Sequence, residues 1–599
     1  MTLQEQEVRT LLDEPHHDGS DLYVLERPQA LGDQAVVRLR VPRATTADRV
    51  VLRYERDGEP RNAEALLDEE TDTDVWWRAS FPVANPITRY RFLLAGGDVG
   101  YAWVNALGTT AHEVADADDF AIAVGDWGPS WHLESVVYQV FPDRFASSGR
   151  APELPDWAIP RAWDELPTGR GRPTPFELFG GDLRGIEQHL DHIESLGANV
   201  VYLTPFFPAT SSHRYDSTTF AHVDPLLGGD DALRSLAEAA HARGIRLVGD
   251  LTLNHTGHRH EWFLAAQASP SAPERAFYYF DESLPHGYES WLGHPMLPKL
   301  DWRSEELHER FAEVMRRYLE LGLDGWRIDV ANMVGRYRDL DLNREVSKWA
   351  REQIGDALLI AEHGHDFRPD LGARGWHGVM NYSGFLRPLW TWLIRDDPEP
   401  EQQEQFWGIP VGVPSLDGEP SVAALRRFRA GVPWECVVHS WNLLDSHDTA
   451  RFRTIAGTRE RHLVGVGLQM TLPGVPMVFA GDELGLEGAW GEDARRTMPW
   501  GSAGAWDATF LEQFRSLAAL RRSSTALAHG GIRYVHVSSD AIAFVRETHS
   551  EQLLVLAARA RHEPVSTPFR TLETLYGEDA TDGALPSGGP SFHIWRIHG

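Results

Sequence analysis

Cysteine is almost absent from this chain. The single residue, Cys436, leaves no partner for an intrachain disulfide. Long apolar runs are absent too, and no stretch approaches the roughly 20 residues that a membrane-spanning helix requires. Positive charge is in deficit, with 57 Lys and Arg against 88 Asp and Glu and a net charge of −31. Nucleic acid and anionic membrane surfaces recruit cationic side chains, so both are poor candidate partners. The leading residues, MTLQEQEVRTLLDEPHHDG, are acidic and lack an apolar centre, which is not the pattern of a secretory signal. These deficits predict a soluble protein of a reducing compartment, the cytoplasm. What remains is ordinary globular composition, 42% hydrophobic and 24% charged over 599 residues. That length exceeds what one core supports, so several domains are expected. Twenty-two tryptophans are many; most belong in cores, but flat aromatic faces also stack on sugar rings.

Residues 1–127 read as an N-terminal β-sandwich. Ala35–Val41, Val50–Tyr54 and Arg89–Leu94 are short, rich in β-branched or aromatic residues, and separated by turn signals. The acidic run Leu67–Asp74 reads as a solvated loop. From residue 128 to 525 the pattern changes. Apolar runs at Val136–Phe141, Val200–Phe206, Arg246–Leu253, Gly325–Val330, Leu358–Glu362, Gly378–Tyr382, Val437–Leu444 and Val475–Phe479 do not alternate, which suits strands buried on both faces. Between them, Ile186, Leu190, Ile193 and Leu196 share one helical face. Leu307, Phe311, Val314, Tyr318 and Leu321 share another, with Gly322 as a stop. Eight strands with intervening helices predict a (β/α)8 barrel. The span from the third run to the fourth is more than twice that of a bare βα unit, which places an inserted domain at 256–301. Residues 526–599 return to short strands and read as a C-terminal β-sandwich.

In such a barrel, polar residues at the C-terminal strand ends are presumptively functional. Four ends here are crowded with them: Asp250 to His255, Arg327 with Asp329, Glu362, and His447 with Asp448. Several carboxylates, an arginine and two histidines on one barrel face are hard to explain structurally, because unpaired buried charge is costly.

With those strand ends in view, the ordered motifs Phe141–Phe145, Phe179–Leu183, Leu203–Phe207, Gly474–Pro476 and Gly481–Glu483 resemble those of the α-amylase family of glycoside hydrolases. The stretch Met296–Leu300 resembles a mark of its cyclomaltodextrinase, neopullulanase and maltogenic amylase branch, whose members also carry an N-terminal sandwich. The resemblance implies a retaining hydrolase of short, branched or cyclic maltooligosaccharides. It assigns Asp329 as nucleophile, Glu362 as proton donor and Asp448 as the third carboxylate. Such chemistry places two carboxyl groups about 5–5.5 Å apart, and a neighbouring negative charge helps an acid hold its proton. By the same resemblance Arg327 keeps Asp329 charged and aimed, Asp250 holds that arginine, His255 and His447 grip sugar hydroxyls, and Tyr215, beside His213, is an aromatic platform. No metal or organic cofactor is implied. The run His255–Glu261 lacks the His-Glu-x-x-His spacing of a helical metal site, and Ala146–Pro152 lacks the oxygen donors of a calcium loop. A homodimer built through the N-terminal sandwich is implied as well. An exo-acting α-glucosidase or transglycosylase on the same barrel is the alternative within enzymes, and a non-catalytic glucan-binding homologue is the alternative outside them.

The sequence departs from the branch on the leaving-group side. Where relatives carry a glutamate four residues after the nucleophile, this chain has Met333; where they carry a tryptophan two residues after the acid, it has Gly364. On the other side the family Asp-x-x-x-Arg pair becomes Gly491 and Arg495. Unless a tryptophan from another loop fills the space at Gly364, these changes predict an open acceptor site suited to a branched or small cyclic glucan with a 1,6-link, such as cyclic maltosyl-maltose. Trp390 and Trp392, among apolar neighbours, read as packing.

Overall fold

The computed structural model describes residues 11–125, 127–372, 374–580 and 584–598. The first ten residues, part of the acidic leading stretch, lie outside these. Eight parallel strands close a barrel: β1 (Val137–Val140), β2 (Val200–Leu203), β3 (Arg246–Thr252), β4 (Gly325–Asp329), β5 (Leu358–Glu362), β6 (Gly378–Met380), β7 (Trp441–Leu443) and β8 (Val475–Phe479). Val137 pairs with Met477 to shut the ring. Nearly every strand residue is buried, as continuous apolar runs require when helices cover one face and the barrel interior fills the other.

One strand is shorter than the sequence predicts. Trp434–His439 is helical and β7 begins only at Trp441. Pro433 fixes the backbone ahead of this helix, and an apolar run of that length reads equally well as a buried helical turn or as a strand. The predicted helical faces are present. In the helix Glu305–Glu320, Ser304 caps the Leu307 N–H and Leu307, Phe311, Val314 and Tyr318 are buried. Gly322, at φ +113°, carries the chain out through a left-handed residue. The face of Ile186, Leu190, Ile193 and Leu196 is split between two short helices at His189, yet all four side chains reach the core.

The chain leaves β3 for a long excursion that carries the helix Glu261–Ala268 and returns through the bridges His255–Lys299 and Tyr278–Leu300. Its aromatic residues, Trp262, Phe263, Phe277 and Tyr278, are continuous with the barrel core.

The N-terminal sheets confirm a two-layer pack. Strands Val24–Glu26, Gln34–Pro42, Asp74–Pro82 and Leu66–Glu70 form one sheet, and a six-stranded sheet containing Arg49–Arg56 and Ile87–Gly96 forms the other. Leu39, Leu52, Phe81, Tyr90 and Phe92 fill the space between them. The acidic run is not a loop. Leu66–Glu70 is an edge strand paired with Asp74–Pro82, and Asp74 is buried against Arg40 at 2.5 Å. Charged side chains are tolerated on an edge strand, where they also discourage pairing with other chains.

The C-terminal region differs from expectation. Among the described residues it is a single five-stranded antiparallel sheet, ordered Gly531–Val537, Ala541–Glu547, Gln552–Ala558, Ser591–Ile597 and Leu572–Tyr576. One face, including Ile542, Phe544, Val555 and Ile594, joins the barrel core. The other is covered by Val565 and Leu585 from its own loops. The barrel thus supplies the layer that a second sheet would have supplied.

Candidate active site

The register of β3, β4 and β5 assembles the centre of the site. Asp250 lies opposite Arg327, and Arg327 and Asp329, two residues apart on one strand, point to the same face. Arg327 is fully buried. Its Nη1 donates to both Asp250 oxygens at 2.9 and 3.0 Å and to Asp329 Oδ1 at 2.9 Å. Its Nη2 lies 3.0 Å from Glu362 Oε1. Three carboxylates therefore share one guanidinium, and the excess negative charge favours retention of a proton within the cluster. Burial raises Asp250 to about 6 against the opposing Arg327. Burial and then the Glu362 charge raise Asp329, and the Arg327 guanidinium opposes them; a proton on Glu362 removes the second of these contributions and leaves Asp329 facing Arg327 as the anion. Immediately after Asp329, Val330 sits at φ +45°, a costly backbone state for a β-branched residue, and its N–H donates to Glu362 Oε2 at 2.8 Å.

A second group is tied to the first by hydrogen bonds. Gln139 Nε2 donates to His447 Nδ1 at 2.7 Å, which assigns the proton of a neutral imidazole to Nε2. That nitrogen lies 2.7 Å from the Tyr215 hydroxyl and 3.1 Å from Asp448 Oδ2. The Tyr215 hydroxyl in turn donates to Asp250 at 2.9 Å, and its ring stacks on His447 at 5.7 Å with a 12° interplanar angle. Arg495 donates to Asp448 Oδ1 and to the His447 carbonyl at 2.9 and 2.7 Å. Burial acts to raise Asp448, but His447, Arg495 and Arg327 together hold it below its usual value. His447 itself is pushed down to about 3 by burial. His255 is also pushed to about 3 by burial, and its Nε2 lies 3.8 Å from Asp329 with no hydrogen-bond partner among the described residues.

Beyond these, a cleft of about 530 Å³ opens, bordered by Asp448, Gly491, Trp390, Trp407, Trp490 and Arg170. The space at Gly364 is not open. A Cβ built there would lie 2.8 Å from Trp407 Cη2, so a tryptophan from a distant loop occupies it. Trp390 and Trp392 are buried as expected, with indole N–H groups on the Leu444 and Ser539 carbonyls. Among the described residues no group of three His, Cys, Asp or Glu side chains is placed to hold a metal ion.

The α-amylase catalytic-domain model matches residues 139–371. Neopullulanase 2 of Thermoactinomyces vulgaris is 31% identical over 581 residues, covering 91% of this chain and 92% of its own length. The chain belongs to the α-amylase family of glycoside hydrolases. Among solved structures, the type III pullulan hydrolase from Thermococcus kodakarensis superposes with a TM-score of 0.71 at 25% identity, covering 97% of this chain and 99% of its own. The cyclic α-maltosyl-(1→6)-maltose hydrolase from Arthrobacter globiformis does so with a TM-score of 0.64 at 31% identity, over 74% of this chain and 96% of its own.

In this α-amylase-family site, Asp250, Arg327, Asp329 and Glu362 meet around one guanidinium, and Tyr215, His447, Asp448 and Arg495 adjoin them. His213 joins that network only through Tyr215: its Nδ1 accepts from the Tyr215 N–H at 3.2 Å, and the half-buried ring lies 5.8 Å from that of Tyr215. Met333 sits in the turn Ala331–Met333, and its carbonyl accepts from Lys299 Nζ at 2.9 Å. Lys299, buried and pushed down to about 8, also bonds Asn254 beside His255. The motif Met296–Leu300 carries no sequence signal for this role of Lys299. Nothing in the sequence marks Gln139 or Val330, and the one signal for Trp407 is the departure at Gly364, which left room for a tryptophan from another loop.

Proposed function

We propose that the protein is a cytoplasmic, retaining α-glucan hydrolase acting on short, branched or cyclic maltooligosaccharides. The observation that carries this reading is Arg327 bound at once to Asp250, Asp329 and Glu362, which holds two separate carboxylates toward one reaction centre. In the first step the Asp329 carboxylate attacks the anomeric carbon, the glycosidic C–O bond breaks, and the Glu362 proton passes to the departing oxygen. In the second, water attacks the glycosyl ester from the vacated side, Glu362 takes its proton, and Asp329 is released. Asp448, held by Arg495, receives sugar hydroxyls in the ring that is cut, and His255 Nε2 is free to bond another hydroxyl. The complete set speaks against a non-catalytic glucan-binding role.

Trp407 closes the open acceptor site that the sequence predicts, so the substrate reading rests on likeness alone; we favour a small cyclic or branched glucan containing a 1,6-link, such as cyclic maltosyl-maltose. The likeness to the Arthrobacter globiformis enzyme supports this. A panel of maltooligosaccharides, pullulan, cyclodextrins and cyclic maltosyl-maltose, with products sized by chromatography, tests it. The α-anomer is expected first by NMR; a β-product overturns the retaining mechanism, and a cyclodextrin preference overturns the substrate. The N-terminal sheets support assembly as a homodimer, for which light scattering should give twice 67.3 kDa.

A further inference from the structure

We propose that Trp407 is the aromatic sugar platform on the leaving-group side of the cut, and that Gly364 exists to admit it. The inference rests on the hydrolase reading above and names a specificity-determining residue within it. Gly364 is not among the glycines with positive φ, so backbone freedom does not explain it. Space does: a Cβ at this position would stand 2.8 Å from Cη2 and 3.0 Å from Cζ3 of the Trp407 ring. Any larger residue there and Trp407 are mutually exclusive in their present places.

Trp407 is also held firmly. It lies on the loop between the helices Pro400–Glu404 and Gly418–Arg429, at φ +21°. Its ring stacks on Tyr382 at 4.0 Å with an interplanar angle of 16°, and its carbonyl accepts from Arg387 Nη2 at 3.0 Å. The Tyr382 hydroxyl meets Ser446 Oγ at 2.9 Å, two residues before Asp448. The ring is thus fixed relative to both carboxylate-bearing segments: Gly364 follows Glu362 by two positions, and Ser446 precedes Asp448 by two. Trp407 is half-buried, with the Arg387 guanidinium 5.3 Å from its ring centre, farther than Arg170 stands from Trp490, and it borders the same cleft as Asp448. A rigid, partly exposed indole on this cleft, packed over the segment that follows the acid, is a surface for the apolar face of a glucosyl ring. The other tryptophans on this cleft serve less well. Trp390 is buried, and Trp490 is covered by Arg170 at 4.0 Å with its N–H on the Gly169 carbonyl.

The test compares kcat/KM for maltotetraose with that for α-maltosyl fluoride, whose leaving group carries no sugar and makes no demand on this platform. Trp407→Leu keeps an apolar cover on Tyr382 but removes the flat face. The ratio of maltotetraose to fluoride should fall about tenfold, the size of one lost stacking contact. Trp407→Phe should retain most of the ratio. The exchange Gly364→Trp with Trp407→Gly should recover the ratio above that of Trp407→Leu, because the ring re-enters from the other chain segment. A ratio unmoved in Trp407→Leu, with the fluoride still hydrolysed, overturns the proposal while leaving the hydrolase reading standing. A wild-type chain that turns over neither compound overturns both.

Discussion

The two halves of the cleft are held by different forces. In one, Tyr215, Gln139, His447, Asp448 and Arg495 arrive from separate strands and loops but form one continuous hydrogen-bonded chain ending on Arg327 through Asp250. In the other, Gly364, Trp407 and Tyr382 meet mainly through ring and backbone surfaces. A polar chain is intolerant of single changes, because each loss leaves a buried partner unsatisfied. An apolar contact needs only volume and shape, so the same space can be filled from a different loop. Change in the sequence is therefore readable in the polar half and hidden in the apolar half.

The most severe break strikes the carboxylates on which both halves converge. Asp329→Asn and Glu362→Gln should each lower kcat on maltotetraose by about 10²–10⁴-fold or more, with circular dichroism and melting behaviour retained. Near-wild-type turnover by Glu362→Gln on this unactivated substrate would remove the acid assignment.

Next in size is Tyr215→Phe, which keeps the ring on His447 but deletes the hydroxyl between Asp250 and His447. Hydrogen bonds to charged groups contribute about 1.5–3 kcal/mol, so kcat/KM should fall about 10–100-fold. The fall should be equal for maltotetraose and α-maltosyl fluoride, unlike the selective loss expected for Trp407→Leu. A selective loss in Tyr215→Phe would erase the distinction between the halves.

The same distinction governs what could be read without coordinates. The strand ends are legible because the candidate side chains occupy fixed places in a two-residue period, as Arg327 and Asp329 do. The region around Trp407 is not, because nothing near it in sequence encodes a partner at Gly364, and its backbone is set by tertiary contacts. Local ambiguity accounts for other differences. Val437–His439 is apolar enough for a strand but lies in a helix. The sheet Gly531–Ile597 is apolar on both faces because the barrel, not a second sheet, covers one of them. The acidic strand Leu66–Glu70 lacks the usual strand composition and is held by pairing with Asp74–Pro82.

The polar half also sets an acid limit. His255 and His447 are buried and uncharged, each pushed down to about 3 from 6.5. His462, outside the cleft between Phe452 and Phe510, is pushed to about 3 by burial as well. Their folded values lie below the unfolded one. The stability they contribute is complete above pH 6.5 and is lost as pH falls toward 3, at about 1.4 kcal/mol per pH unit for each histidine. His462→Leu should flatten the fall of unfolding free energy between pH 6.5 and 5 by one such share, without changing the pH profile of kcat. A slope equal to that of the wild type would show that His462 is not neutral in the fold.

The smallest expected effect lies at the seam between the halves. Gly491 borders the cleft, and a Cβ on it would stand 2.9 Å from both the carbonyl carbon and oxygen of Asp448. Arg495 binds Asp448 directly. Gly491→Ala therefore presses on the Asp448 backbone without touching a charge. Overpacking of this kind costs about 1–3 kcal/mol, part of which the four-residue helix Gly491–Ala494 can absorb by shifting outward. KM should rise by about 3- to 10-fold for maltotetraose and for α-maltosyl fluoride alike, with kcat less affected, because Asp448 belongs to the polar half. If KM is unchanged for both compounds, the Asp448–Arg495 pair tolerates displacement and the polar half is less rigid than its hydrogen bonds imply. If only the maltotetraose value rises, Gly491 belongs with Trp407, and the boundary between the halves runs on the other side of Asp448.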